Sequence, residues 1–188
     1  MESGGKRTRP ALCLLGAEAV GGRAQDALSV ACAIEYFQSA ALIHDDIADK
    51  SELRRGEPCV YVTEGTGVAI NVGDLALTTV ARLVLDDRGL APDVRLRVLD
   101  EVVAMEERTL EGQALDLGWA RDGRWDISVD DYLCMASHKT AYYSAAVPLA
   151  TGAICAGATD AQVDALRAFG MKAGLAFQLQ DDLTSAAT

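Results

Sequence analysis

Apolar positions recur along this chain at intervals of three and four residues almost from end to end, with no sustained alternation between apolar and polar residues. That period predicts helices and no sheet. The segment 25–49, QDALSVACAIEYFQSAALIHDDIAD, is apolar on most of its faces and holds neither Gly nor Pro, so it predicts a long, deeply buried helix. A second helix, 67–87, follows the glycine-rich EGTG and ends near Gly89 and Pro92. A third opens at Pro92, a residue suited to a first helical turn, and runs to RDGRWD. Ser128, with Asp131 three residues on, reads as the N-cap of a helix that includes VDDYLCMASHK. The apolar, small-residue run 140–157 predicts a tightly packed helix kinked at Pro148, and a last helix follows Asp160. Loops fall at 21–24, 50–66, 89–92 and 120–127. The expectation is one all-α domain over residues 1–188, built as a helical bundle.

Composition narrows the functional classes. The chain is half apolar and long enough for one core. Its start, MESGGKRTRP, is polar and basic rather than a signal peptide, and no run of about eighteen residues is free of charges and breakers. A cytoplasmic protein that does not span a membrane is expected. The five cysteines are odd in number, widely spaced and set mostly in apolar runs, which favours buried free thiols over disulfides or zinc. A formal charge of −11 argues against nucleic acid as a partner. A polyanionic ligand binds such a protein where divalent cations stand between the two, or where a local basic cluster overrides the field within a Debye length of roughly 8 Å.

Both devices have candidates. Asp45 and Asp49 lie on one helical face with Asp46 beside them, so three carboxylates converge at one helix end. Asp181 and Asp182 form a second acidic pair near the end of the final helix. Each group follows directly on an apolar run, placing charge where burial would be expected to continue. Oxygen ligands of this kind suit Mg²⁺, which bridges carboxylates to substrate phosphates. Lys6, Arg7 and Arg9 follow Gly4 and Gly5, and Arg54 and Arg55 follow the first acidic cluster, offering direct cationic contacts to a phosphate. Asp86 with Asp87, and Asp130 with Asp131, read as ordinary solvated helix-end pairs.

Five elements in order resemble the trans-isoprenyl diphosphate synthase, or polyprenyl synthetase, family: GGKRTRP, DDIADKSELRRGEP, GQALDL at 112–117, HKTAYYSAAVPLATGAICAG and AFQLQDD. The resemblance covers the whole chain and is closest to geranylgeranyl diphosphate synthases. It implies an isoprenoid-synthase-type bundle around a central apolar cavity, acting as a Mg²⁺-dependent homodimer. The implied reaction condenses isopentenyl diphosphate with an allylic diphosphate to a linear all-trans product. By the same resemblance, Asp45, Asp46, Asp49, Asp181 and Asp182 hold Mg²⁺ on the allylic diphosphate. Gly5, Lys6, Arg9, Gln38, Arg54 and Arg55 hold isopentenyl diphosphate, and Lys139, Thr140 and Gln178 act on the leaving group and the carbocation.

The resemblance also makes the helix before Asp45 a ruler, since one turn rises about 5.4 Å, close to one isoprene unit. Ala40 and Ala41, where members with fifteen-carbon products carry bulk, block nothing. Phe37, a turn deeper, closes the pocket, and the expected product is geranylgeranyl diphosphate. Ser185 stands where many members have a third Asp, and Tyr61 where many have His. Family chains usually carry another helix before GGKR and further helices after the second Asp-rich motif, so the chain is expected to be incomplete at both ends. Three rivals are a class I terpene cyclase, a prenyltransferase with a non-isopentenyl acceptor, and a non-catalytic regulatory subunit. Aromatic residues make up only 5% of the chain, which is sparse for a cyclase sheltering cations on aromatic faces.

Overall fold

The computed structural model describes residues 4–186, which form eight α-helices with one π-helical stretch and a two-stranded hairpin. Helices α1 (Thr8–Ala19), α2 (Leu28–Ala48), α4 (Thr66–Asp86) and α5 (Pro92–Asp122) precede α6 (Val129–Ala136), the π-helix Ser137–Ala146, α7 (Val147–Cys155) and α8 (Asp160–Ala186). The short α3 is Val60–Glu64. Helix α2 sits at the centre because Val30, Ile34, Phe37 and Ala40 recur three or four residues apart and are all buried. The first three meet Val80 and Val84 of α4, Val98, Val102 and Met105 of α5, and Val147 and Ile154 of α7 in one core. Full burial of a side chain such as Ile34 contributes about 2 kcal/mol. All five cysteines are free thiols.

Boundaries follow local chemistry. Pro92 sits in the first turn of α5, and Gly123 closes it in the left-handed conformation. Ser128 caps α6: its hydroxyl accepts from the Asp131 backbone N–H at 3.1 Å, and the Asp131 carboxylate accepts from the Ser128 N–H at 3.0 Å.

Three features depart from the sequence reading. The expected loop 50–66 contains α3 and an antiparallel hairpin, β1 (Leu53–Arg54) with β2 (Glu57–Pro58), in which Leu53 faces Pro58. Arg55 and Gly56 turn it with φ of 55° and 84°, the positive values that a two-residue hairpin turn requires. Helical structure over 137–155 is irregular well before Pro148, as a π-helix of ten residues. By length and composition alone, Ala24–Ala48 and Thr66–Asp86 are apolar enough to cross a membrane, which narrows the expectation that no stretch qualifies. For α2 this reflects its place in the core; α4 leaves Val68, Ile70, Val72 and Leu75 exposed.

Candidate active site

A hollow of about 620 Å³ opens between α2, α5, the π-helix and α8. Asp45 from α2 and Asp181 from α8 both line it, with Phe37, Leu77, Leu110, Leu117 and Phe177 supplying apolar wall. Arg9, Gln38, Ala41, Arg54, Arg55, Lys139, Thr140 and Gln178 complete the set of sequence-predicted residues brought to this cavity. Ala40 is buried in the core instead, and Asp49 is exposed at the C-cap of α2.

Both acidic groups lie toward the C-terminal ends of their helices, where the backbone dipole is already negative. Carboxylates there raise the local energy unless a cation offsets them. At Asp45, burial pushes the carboxyl above its ordinary range, Lys139 pulls it back, and Asp49 adds to the rise. Gln113 of α5 donates to Asp45 Oδ1 at 2.7 Å and fixes the carboxylate's orientation. Among the described residues no three Asp, Glu, His or Cys side chains cluster tightly enough to cage a metal unaided. Magnesium needs no such cage: it keeps several waters and binds through one or two carboxylates plus substrate phosphate. The donor chemistry of Asp45, Asp49 and Asp181 fits that mode.

The five predicted acids separate. Asp46 turns away from the hollow, is buried, and accepts from Arg54 Nε at 2.9 Å and Nη2 at 2.5 Å. It lines a smaller recess with Arg7, Glu35 and Arg54. Asp182 is engaged by Tyr132, whose hydroxyl donates to Oδ2, and by Gln178, whose Nε2 donates to Oδ1 at 2.8 Å.

On the cationic side, Arg9 Nη2 donates to Ser144 Oγ at 2.8 Å and to Tyr143 Oη at 3.1 Å, with its guanidinium 4.5 Å above the Tyr143 ring. Among the described residues its Nε is buried with no hydrogen-bond partner, and so is Gln38 Oε1. A buried donor without an acceptor costs on the order of 1 to 3 kcal/mol. Arg55 donates to the Gly4 carbonyl and lies against Gly5, whose φ is 122°. A Cβ at Gly5 would fall 2.6 Å from the mobile end of Arg55, and the φ of 122° is one that residues with side chains rarely adopt, so glycine suits this close approach. Lys6 is exposed beside it.

Lys139 and Thr140 stand on the π-helix with Tyr143 and Ser144. Its i→i+5 bonding sets residues four and five apart over one another, so all four side chains turn to the same side. Neighbouring helices approach its backbone through glycines: a Cβ at Gly112 would overlap the Lys139 nitrogen, and one at Gly174 would lie 2.7 Å from the Ala141 Cα. Burial lowers the Lys139 pKa, but its ion pair with Asp116 more than restores it, and the net displacement is upward. The group stays an ammonium. Thr140 Oγ1 donates to Gln178 Oε1 at 2.6 Å. Sequence reasoning passed over Gln113, Asp116, Tyr132, Tyr143 and Ser144 as site residues. Gln113 and Asp116 belong to the GQALDL element, and their three-residue spacing on a helix was a usable signal.

This geometry has close relatives. The chain is 42% identical over 182 residues to a short chain isoprenyl diphosphate synthase of Methanothermobacter thermautotrophicus, covering 96% of this chain and 54% of the relative. It is 41% identical to a geranylgeranyl diphosphate synthase of Mycobacterium tuberculosis, covering 96% of this chain and 50% of the relative. A crystal structure of geranylgeranyl pyrophosphate synthase from Corynebacterium glutamicum, complexed with isoprenyl diphosphate and magnesium, superposes with a TM-score of 0.88 at 35% identity, covering 96% of this chain and 56% of that one. The chain thus spans about half the length of the relatives it matches. The polyprenyl synthetase model matches residues 1–187, nearly all of the sequence, and with five motifs placed around one cavity the chain belongs to the polyprenyl synthetase family.

Proposed function

We propose that the protein is a Mg²⁺-dependent prenyltransferase that joins isopentenyl diphosphate to an allylic diphosphate and releases a linear all-trans prenyl diphosphate, geranylgeranyl diphosphate. The observation that carries this reading is that Asp45 and Asp181, far apart in sequence, rim one largely apolar hollow that Arg9 and Arg55 also line. A cyclase or a transferase with a neutral acceptor has no use for that second cationic site. The relatives' names point the same way.

Asp45, Asp49 and Asp181 are the residues that would hold magnesium, which supplies charge neutralisation of the departing diphosphate when bound. Asp46 and Arg54 brace the α2 end instead, and Asp182 braces Gln178. Lys139, kept protonated by Asp116, donates hydrogen bonds to the leaving diphosphate as the allylic C–O bond breaks. The oxygen of Thr140, its hydrogen committed to Gln178, presents lone pairs to the allylic cation. Arg9, Lys6 and Arg55 hold the diphosphate of the second substrate so that its double bond faces that cation. A new C–C bond forms, and the proton lost from the adjacent carbon passes to the released diphosphate. The apolar wall excludes water meanwhile. Phe37, eight residues and so about 12 Å before Asp45 on α2, closes the far end and sets the product at twenty carbons. The exposed Val68, Val72 and Leu75 share one side of α4 and supply an apolar face for a homodimer, and the free thiols suit the cytoplasm.

Incubation with Mg²⁺, isopentenyl diphosphate and farnesyl diphosphate, followed by product analysis, tests this reading. A linear twenty-carbon diphosphate is expected. A hydrocarbon or alcohol would mean a cyclase, consumption of farnesyl diphosphate only with another acceptor a different transferase, and no diphosphate release a regulatory subunit.

A further inference from the structure

We infer that Tyr132 is a positioning residue for prenyl transfer: acting through Asp182, its hydroxyl locks the Gln178 amide and keeps the wall behind the reacting carbons closed to water. This rests on the functional reading above and extends it to a residue outside the catalytic hollow.

The hydrogen-bond directions are fixed by chemistry. A carboxylate only accepts, so Asp182 takes the Gln178 NH₂ on one oxygen and the Tyr132 hydroxyl on the other. With its NH₂ committed, Gln178 must turn Oε1 toward Thr140, whose hydroxyl then donates to it at 2.6 Å. Thr140 in turn is left with oxygen lone pairs for the hollow. Reversing the amide would set its NH₂ against Thr140, pull the hydroxyl oxygen toward Gln178 and point hydrogen at the cation. The order Tyr132, Asp182, Gln178, Thr140 therefore fixes the sign of a dipole at the reacting carbon from outside.

Tyr132 is needed because Asp182 is exposed on α8 and, with Gln178 as its only partner, would be free to rotate. Tyr132 itself is anchored, since α6 starts from the Ser128 and Asp131 capping pair one turn earlier. The same residues form a partition. A second hollow of about 370 Å³, walled by Trp119 and Tyr132, shares Lys139 and Gln178 with the first. Tyr132 and Asp182 line only the second, so water reaching it is separated from the cation by the Lys139 and Gln178 side chains.

Tyr132→Phe keeps the ring and removes the donor. In the protein turning over farnesyl and isopentenyl diphosphates, kcat should fall about tenfold while KM for both substrates stays within twofold. The share of farnesol should rise, because water then captures the cation: the allylic C–O bond breaks, water supplies the new C–O bond, and its proton goes to the released diphosphate. Side-chain amide exchange of Gln178, followed by NMR, should speed up tenfold or more in Tyr132→Phe and be no faster in Tyr132→Phe/Asp182→Asn than in Asp182→Asn alone. Unchanged product ratios, a loss confined to KM, or additive effects on Gln178 exchange would overturn the inference. A wild-type protein without transferase activity would fail the functional reading, and Gln178 exchange would still decide the role of Tyr132.

Discussion

Asp46 Oδ1 is gripped by the Nε and Nη2 of Arg54, at 2.9 and 2.5 Å, one residue after the carboxylate that faces the hollow. Adjacent aspartates thus have different surroundings, Asp45 lining the hollow and Asp46 buried against Arg54. Arg54→Ala leaves a buried carboxylate uncompensated and should cost about 2 kcal/mol, since Arg54 is itself partly solvated. Denaturant midpoints measure this. Arg54→Lys, which cannot make the two-pronged contact, should recover only part of it.

The assignment of Asp45 and Asp181 predicts a different pattern. Asp45→Asn and Asp181→Asn should each lower kcat by about 10²- to 10³-fold and raise the Mg²⁺ concentration for half-maximal rate, with little change in melting temperature. Removing divalent ions with a chelator should abolish turnover, and Mg²⁺ should restore it. Turnover that survived chelation would remove magnesium from the mechanism.

Phe37 lines the hollow, and on the proposed reading that it closes the far end, Phe37→Ala should shift the main product to a longer chain by about one five-carbon unit, one helical turn of depth. Ala41→Phe, nearer the carboxylates, should shift it to fifteen carbons. Chromatography of the dephosphorylated products reads both, and an unchanged length in Phe37→Ala would end the ruler.

Glu106, one turn before Leu110 on α5, is half-buried, and that burial pushes its carboxyl up to about 7. A carboxyl raised in the folded state gives stability that is complete below its unfolded pKa of about 4.3 and is lost as pH climbs through about 7. Glu106→Gln, which never ionises, should therefore match the parent near pH 4 and exceed it at pH 8 by roughly 1 kcal/mol after allowance for solvent screening. Melting curves that stay parallel across that range would show that the group titrates normally.

Gly174 lets α8 rest on the π-helix backbone. Gly174→Ala must push the two apart, which should cost about 1 to 3 kcal/mol and displace Thr140 with the Ala141 segment. Circular dichroism on heating gives the stability loss, and a larger fall in kcat than in KM would locate the displacement at the reacting carbons.

Period and composition carried the helices of this fold, because each buries a stripe readable at three- and four-residue spacing. The Ser128 cap and the Pro92 start were equally legible, being fixed by side chains next to the backbone they serve. The π-helix was not: its wider turns are approached closely by Gly112 and Gly174 of other helices, and no local pattern announces it. The hairpin escaped for a related reason, as strands of two residues are too short to alternate. At the site, the expected Asp45, Asp181, Arg9 and Arg55 come to one hollow, whereas Asp46 and Asp182, expected to act with Asp45, meet Arg54 and Tyr132. Which acid meets solvent and which meets Arg54 or Tyr132 is decided by tertiary packing, which adjacent identical letters do not encode.

Tyr143 presents its face to Arg9 and, 5.6 Å from Phe37, takes that residue's ring at an angle of 71°. One aromatic plate therefore supports two parts of the hollow's lining, an apolar ring and a guanidinium. A change of bulk at Phe37 should therefore disturb the seat of Arg9 as well, so lineages that alter product size at little cost to substrate capture should do so through the other apolar lining residues, Leu77, Leu110 and Leu117.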